Sequence, residues 1–199
     1  MSVNYLIHSY NTGRMLIFDL DNTLYDETLF LFNAYNQIAD LYKIQKKNEI
    51  YHFLVSEFKD KGRTKLFDKL IAKFPNYNIN IDKCLYILRS YSCKGCINVY
   101  PWFDQFIKRV NPNFKLKIIT NGNIKQQKNK IKSLNIPVNK KDIEIVFAKG
   151  IIEKPCIDSF YELENFNTFN RPIYIGDSDV DQKFCNSLGI EFYDVTKLT

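Results

Sequence analysis

Met15-Leu16-Ile17-Phe18-Asp19-Leu20-Asp21-Asn22-Thr23 is the stretch from which the fold can be read. A short apolar run closed by polar residues fits a strand buried on both faces, the kind that parallel sheets use. This run stops at two carboxylates, Asp19 and Asp21, separated by one residue. At the carboxyl end of a buried strand both can point into the crevice where open α/β sheets bind ligands. Such a pair suits phosphoryl transfer. One carboxylate attacks phosphorus and becomes an acyl phosphate; the other protonates the leaving oxygen and later activates water. Alone the pattern is weak, because Asp177-Ser178-Asp179 and Asp179-Val180-Asp181 repeat it, and acidic loops are common on surfaces.

Working outward, Lys115 to Thr120 reads as a strand ending at the turn signal Asn121-Gly122. A helix follows from Ile124 to Leu134, with Ile124, Ile131 and Leu134 on its apolar face. Ile143 to Phe147 is a further strand, and Pro155 is placed to open a helix running to about Glu164. Pro172 to Gly176 is another buried strand, followed by a helix to about Leu188 and a last strand, Glu191 to Tyr193. Strand alternating with helix predicts right-handed crossovers and a mostly parallel sheet with helices on both faces. Between the first strand and this series, from about Leu29 to Ser92, every pattern is helical, with a break at Pro75, Asn76 and Asn78 and with Asp82 as an N-cap. The expected organisation is an α/β core of residues 1–25 and 100–199 and a helical insertion of residues 26–99. An insertion just past a strand's carboxyl end is well placed to act as a lid.

The bulk composition agrees with a globular protein. The 199 residues are 45% hydrophobic and 25% charged, enough to bury a core without disulfides or metals. No run reaches the roughly 18 to 20 apolar residues of a membrane span. The opening residues lack the charged and apolar regions of a signal peptide, so a cytoplasmic protein without a membrane partner is expected. The five cysteines do not form a secreted framework. Cys93-Lys94-Gly95-Cys96 has zinc-knuckle or redox spacing, but zinc needs further ligands and no second such pair follows. Two reduced thiols near a turn are therefore expected over a structural or redox role. The net charge of +6 suits acidic ligands. Lysines cluster at Gln45-Lys46-Lys47 and on one helical face at Lys125, Lys128 and Lys132; these read as solvated surfaces, not as a nucleic-acid site.

Three more positions carry chemistry at strand ends. Thr120, followed by Asn121-Gly122, places a hydroxyl and backbone amides at a strand-to-helix turn, which suits a phosphoryl oxygen. Lys154, ahead of Pro155, can neutralise charge on a phosphoryl group and a nucleophile; Lys149 is its rival. Gly176-Asp177-Ser178-Asp179-Val180-Asp181 can complete an oxygen shell for a hard divalent cation. An EF-hand calcium loop is excluded there, since Gln182 and Leu188 stand where that loop needs glycine and glutamate.

In order and spacing, Asp19-x-Asp21-x-Thr23, Thr120, Lys154 and Gly176-Asp177-Ser178-x-x-Asp181 resemble the four motifs of the haloacid dehalogenase (HAD) superfamily. The likeness extends over nearly the whole chain, and the helical block resembles the cap that one subfamily inserts after its first motif. The resemblance implies a Rossmann-like three-layer α/β core, bound Mg²⁺ and an aspartyl-phosphate intermediate. It implies that Asp19 is nucleophile and metal ligand, and that Asp21 is the general acid/base, its carbonyl also reaching the metal. Thr120, Asn121 and Lys154 would hold the phosphoryl group, with Asp177 ligating Mg²⁺ supported by Asp181. An aspartate at position 21 fits phosphate-ester hydrolysis better than dehalogenation. The expected activity is a Mg²⁺-dependent phosphatase of a small phosphorylated metabolite, a nucleotide monophosphate or a sugar phosphate. A phosphomutase or a catalytically idle binding module is the alternative. The aromatics Phe30, Phe32, Tyr35, Tyr51 and Phe53 read as core of the helical block, and nothing in the pattern specifies an oligomeric state.

Overall fold

The computed structural model describes residues 2–42, 47–110, 112–164 and 171–198. By its internal contacts the chain divides into two compact units, residues 1–27 with 93–199, and residues 28–92. In chain order the elements are α1 (Val3–Asn11), β1 (Leu16–Phe18), α2 (Glu27–Leu41), α3 (Lys47–Lys61), α4 (Leu66–Lys73) and α5 (Ile81–Ser90). There follow β2 (Ile97–Asn98), α6 (Pro101–Arg109), β3 (Leu116–Thr120), α7 (Ile124–Ser133), β4 (Leu134–Asn135), β5 (Ile143–Phe147), β6 (Ile173–Gly176), α8 (Asp179–Leu188) and β7 (Glu191–Asp194).

The first unit is a Rossmann-like α/β core. Its five-stranded sheet has the order β5-β3-β1-β6-β7, and every pairing is parallel. β1 is central, and its neighbours β3 and β6 are buried along their whole length, which is why all three read as near-continuous apolar runs. Successive side chains of a strand point to opposite faces. Ile17 therefore enters a cluster with Ile119, Tyr174, Phe160 and, from α8, Phe184. Phe18 meets Phe103 and Phe106 of α6 on the other face, at centroid distances of 5.6 and 6.0 Å. Three layers result, with α6 and α8 covering opposite faces. Burial of such a phenylalanine contributes roughly 1.5–3 kcal/mol. Pro101 opens α6 as its first residue, where a missing N–H costs nothing, and the preceding Tyr100 N–H donates to Leu24 O at 2.8 Å.

The second unit is helical among its described residues, α2 to α5 with a 3₁₀ turn at Pro75–Tyr77. Its aromatics pack on one another: Phe30 meets Tyr91 at 5.0 Å, Phe32 and Tyr35 both meet Phe58 at 6.1 Å, and Phe53 meets Phe74 at 5.8 Å. Among the described residues no helix is long and apolar enough to cross a membrane.

Several local expectations are corrected. The helix expected from Pro155 to Glu164 is absent. Turns and a single 3₁₀ turn, Asp158–Phe160, take its place. Ile157, Phe160 and Leu163 recur every third residue, and all three pack into the core cluster, a period that a tight 3₁₀ path satisfies better than 3.6. The N-cap of α5 is Asn80, whose side chain accepts from Lys83 N–H at 3.0 Å, and not Asp82, which lies in the first turn. The cysteines expected as free thiols, Cys93 and Cys96, are joined in a disulfide, their Cα atoms 5.5 Å apart. α7 ends at Ser133 instead of Leu134, and Leu134 pairs in parallel with Ile97 in a separate two-stranded sheet. The Gln45-Lys46 part of the lysine cluster lies outside the described residues.

Candidate active site

The site gathers residues from the carboxyl ends of four parallel strands and the loops after them. β1 delivers Asp19, whose N–H extends the ladder by donating to Ile175 O at 2.8 Å. The chain then turns sharply. Asn22 takes a positive φ of 53°, which asparagine tolerates better than most residues, and its side chain accepts from Glu27 N–H at 3.1 Å. Asp21 is thereby brought back beside Asp19's strand end. β3 ends on buried Thr120, β6 ends on Gly176 just before Asp177, and the loop after β5 carries Lys154.

Lys154 is 5% exposed, and its ammonium donates to Asp19 Oδ1 at 2.7 Å, Asp181 Oδ1 at 2.6 Å and Tyr174 Oη at 2.5 Å. The Tyr174 hydroxyl in turn donates to Ile119 O at 2.9 Å. The rival Lys149 lies exposed on the surface. Asn121 fixes the lysine's backbone from both sides: its amide donates to Lys154 O at 3.0 Å, and its oxygen accepts from Lys154 N–H at 2.9 Å. Asn121 thus acts on Lys154. Ser178 caps α8 and donates from its hydroxyl to Asp181 Oδ2 at 2.7 Å. Thr23 donates to Asp177 Oδ1 at 3.4 Å. One carboxylate oxygen from each of Asp19, Asp177 and Asp181 lies within 4.8 Å of the others.

The electrostatics follow from burial and crowding. Burial pushes the Asp19 carboxyl up to about 7; Lys154 pulls against this, while the charges of Asp181 and Asp21 add to it. Asp177 is pushed up to about 6, by burial first and by Asp181 next. For Lys154 burial disfavours the charge, but Asp19 and Asp181 outweigh it and hold the ammonium above its ordinary value. Three acidic groups around one cation leave net negative charge in a largely dry place, where an additional cation would relieve the repulsion.

Asp21 stands in a second network that the sequence does not foretell. Its Oδ2 accepts from Lys130 at 2.6 Å and from Gln127 at 3.0 Å, and its Oδ1 accepts from Tyr25 at 2.8 Å. Burial works against the ionised form, but Lys130, Gln127 and Tyr25 together hold the carboxyl below its ordinary value. Gln127 also donates to Thr120 Oγ1 at 2.7 Å, and Lys130 to Glu27 Oε1 at 2.5 Å. The fully buried face of α7 is thus Gln126, Gln127, Lys130 and Ser133. Ile124 and Ile131, on the face that periodicity favours, are only half-buried, and Leu134, just past the helix, is buried. The available signal is that α7 is too polar to own a wide apolar stripe. The lysines expected on its solvated face, Lys125, Lys128 and Lys132, are exposed.

The sequence profile described as haloacid dehalogenase-like hydrolase matches residues 16–195. Among solved structures, a candidate HAD-hydrolase from Bacillus subtilis, YfnB bound to magnesium, aligns at a TM-score of 0.60 and 18% identity over 90% of this chain and 87% of that one. A HAD hydrolase of family IA, variant 3, from Entamoeba histolytica aligns at 0.56 and 16% identity over 94% and 86% of the two chains. A candidate β-phosphoglucomutase from Thermotoga maritima aligns at 0.53 and 18% identity over 91% and 84%. At these identities the likeness concerns the fold. No curated protein sequence matches the chain.

Proposed function

This chain belongs to the haloacid dehalogenase-like hydrolase family, and we propose that it is a Mg²⁺-dependent phosphatase of small phosphorylated metabolites, with Asp19 as nucleophile. The observation that carries this reading is the pairing of two differently held carboxylates at one strand end. Asp19 is tied to the buried Lys154, whereas Asp21 is tied to Lys130 and Gln127. The two groups therefore have different partners and can take different roles. In the free site burial holds Asp19 up, while at Asp21 burial is outweighed and Lys130 holds the carboxyl down. A cation beside Asp19 and a phosphoryl group's negative charge beside Asp21 each act against that, favouring an ionised nucleophile and a protonated acid. An alkyl phosphate ester needs both, because its leaving alkoxide must receive a proton.

The residues act in sequence. Asp21 takes up a proton as the negative charge of the bound phosphoryl group raises its carboxyl. An Asp19 carboxylate oxygen attacks phosphorus, the ester P–O bond breaks, and Asp21 passes that proton to the leaving alkoxide. Asp21, now ionised, takes a proton from water as that water attacks the aspartyl phosphate, and inorganic phosphate and free Asp19 result. Thr120 offers its hydroxyl to the phosphoryl oxygens, and Lys154 offsets their charge beside Asp19. Asn121 holds the Lys154 backbone in place for that purpose. The all-oxygen set of Asp19 and Asp177, with the backbone carbonyl of Asp21, suits the hard cation Mg²⁺. Asp181, whose two oxygens already accept from Lys154 and Ser178, supports them. When bound, Mg²⁺ supplies charge neutralisation for the nucleophile and the phosphoryl group.

The substrate is a small soluble phosphate ester, a nucleotide monophosphate or a sugar phosphate, and we assign its selection to the helical unit inserted after β1. The test is phosphate release from a panel of nucleotide, sugar and simple alkyl phosphates plus p-nitrophenyl phosphate, with Mg²⁺ and with EDTA. Metal-dependent release supports the reading, and the best ester gives the substrate class. Folded protein that releases no phosphate from any member refutes it.

A further inference from the structure

Lys130 is the least expected side chain of the core. Its side chain is 1% exposed, it lies in the last turn of α7, and it is paired with two carboxylates at once, Asp21 and Glu27. Packing alone gives no reason for a lysine there, since replacing a buried ion pair by apolar residues of similar volume is often neutral or stabilising. Gln127, one helical turn earlier and also buried, spends its amide on Asp21 Oδ2 and on Thr120 Oγ1. Both acceptors belong to groups with proposed chemical roles. Tyr25 holds the remaining oxygen, Asp21 Oδ1. The Asp21 carboxyl is therefore gripped on both oxygens, and one of its donors also grips the phosphate-binding hydroxyl.

We propose that Lys130, counter-anchored by Glu27, and Gln127 are positioning residues that hold the Asp21 carboxyl in a fixed relation to Thr120, so that the proton it takes up beside a bound phosphoryl group is delivered to the leaving oxygen of a group seated on Thr120. Glu27 holds the Lys130 ammonium from its other side. Gln127 couples the place where the phosphoryl group sits to the place from which the proton comes. This inference rests on the phosphatase reading above, and its test separates the two.

The test uses the leaving group. An alkyl phosphate needs a proton delivered to its departing oxygen, whereas p-nitrophenolate leaves without one, so misaiming the acid harms only the first. kcat/KM is measured for the best alkyl ester of the panel and for p-nitrophenyl phosphate, in the wild type, in Lys130→Met/Glu27→Gln and in Asp21→Asn. The double variant removes the cation together with its buried counter-charge, and Gln127→Met serves as a second, charge-neutral variant should the first not fold. We expect kcat/KM on the alkyl ester to fall by on the order of 100-fold in either variant, the scale of general-acid catalysis. On p-nitrophenyl phosphate the fall should stay under about tenfold, the same split as in Asp21→Asn. Equal losses on both esters, or no loss on either, overturn the positioning role. A wild type that cleaves p-nitrophenyl phosphate but no alkyl ester also overturns it, because no proton delivery then exists to be aimed. Silence of the wild type on every ester refutes the phosphatase reading itself and removes the inference with it.

Discussion

Replacing Gly176 by alanine sets a methyl group against Asp181. A Cβ at position 176 would lie 2.6 Å from Asp181 Oδ2, 2.8 Å from its Cγ and 2.9 Å from its Cβ. Comfortable contact between such atoms is about 3.5–4.0 Å, so roughly 1 Å must be found. Rotating the Asp181 side chain does not supply it, because Cβ does not move on rotation about the Cα–Cβ bond. Asp181 is only 1% exposed, and its oxygens accept from Lys154 and Ser178. Either β6 or the start of α8 has to give way. Overpacking of this kind costs about 1–3 kcal/mol, and weakening the buried Lys154–Asp181 pair moves the cost toward the upper end. Taking about 2–3 kcal/mol, and about 2–4 °C per kcal/mol for a chain of this size, the midpoint of thermal unfolding should fall by roughly 4–12 °C. The assay is calorimetric or fluorimetric melting beside Gly150→Ala. The methyl added there meets only Ile124 Cδ1, at 3.4 Å, and its midpoint should stay within about 2 °C of wild type, as for an alanine the backbone accepts. Equal midpoints for the two variants would refute the claim that Gly176 is required by the closeness of Asp181.

Two further outcomes are expected. Asp19→Asn should leave circular dichroism unchanged and abolish phosphate release, since the amide preserves shape and removes the nucleophile; normal turnover would sink the assignment of Asp19. Added Mg²⁺ should raise the melting midpoint of the wild type, by about 2.7 kcal/mol of stabilisation at a concentration one hundred times its dissociation constant. Asp177→Asn should lose most of that gain, and an undiminished shift in the variant would place the metal elsewhere.

The sheet is more legible in the sequence than the helices are. β1, β3 and β6 stand out as apolar runs because a strand buried on both faces admits little else. The chemistry at their ends is visible for a related reason: Asp19, Thr120 and Asp177 each stand at or just beyond the last residue of such a run. α1 gives little comparable signal, although its residues from Val3 to Asn11 form a regular helix, since Ser2 at its N-cap makes no side-chain cap hydrogen bond and so short a helix differs little from a loop. The turns around Asp158 to Phe160 mislead because apolar residues every third position fit both a helix and a tight turn.

What the sequence by itself determined is therefore the order of the parts, namely parallel strands, a helical insertion after the first, and acidic, hydroxyl and basic groups at strand ends. These depend on side-chain type and on local period, which a linear pattern carries in full. Residue type and local pattern alone leave Lys149 and Lys154 as rivals, and motif order favours Lys154; only the tertiary structure shows the contact that joins Lys154 to Asp19, across 135 positions of chain. The same holds for Lys130 and Gln127, whose partners Asp21 and Thr120 arrive from two other strand ends. A polar side chain can be buried only when its partners are brought to it, and which partners arrive is fixed by how distant segments pack in three dimensions.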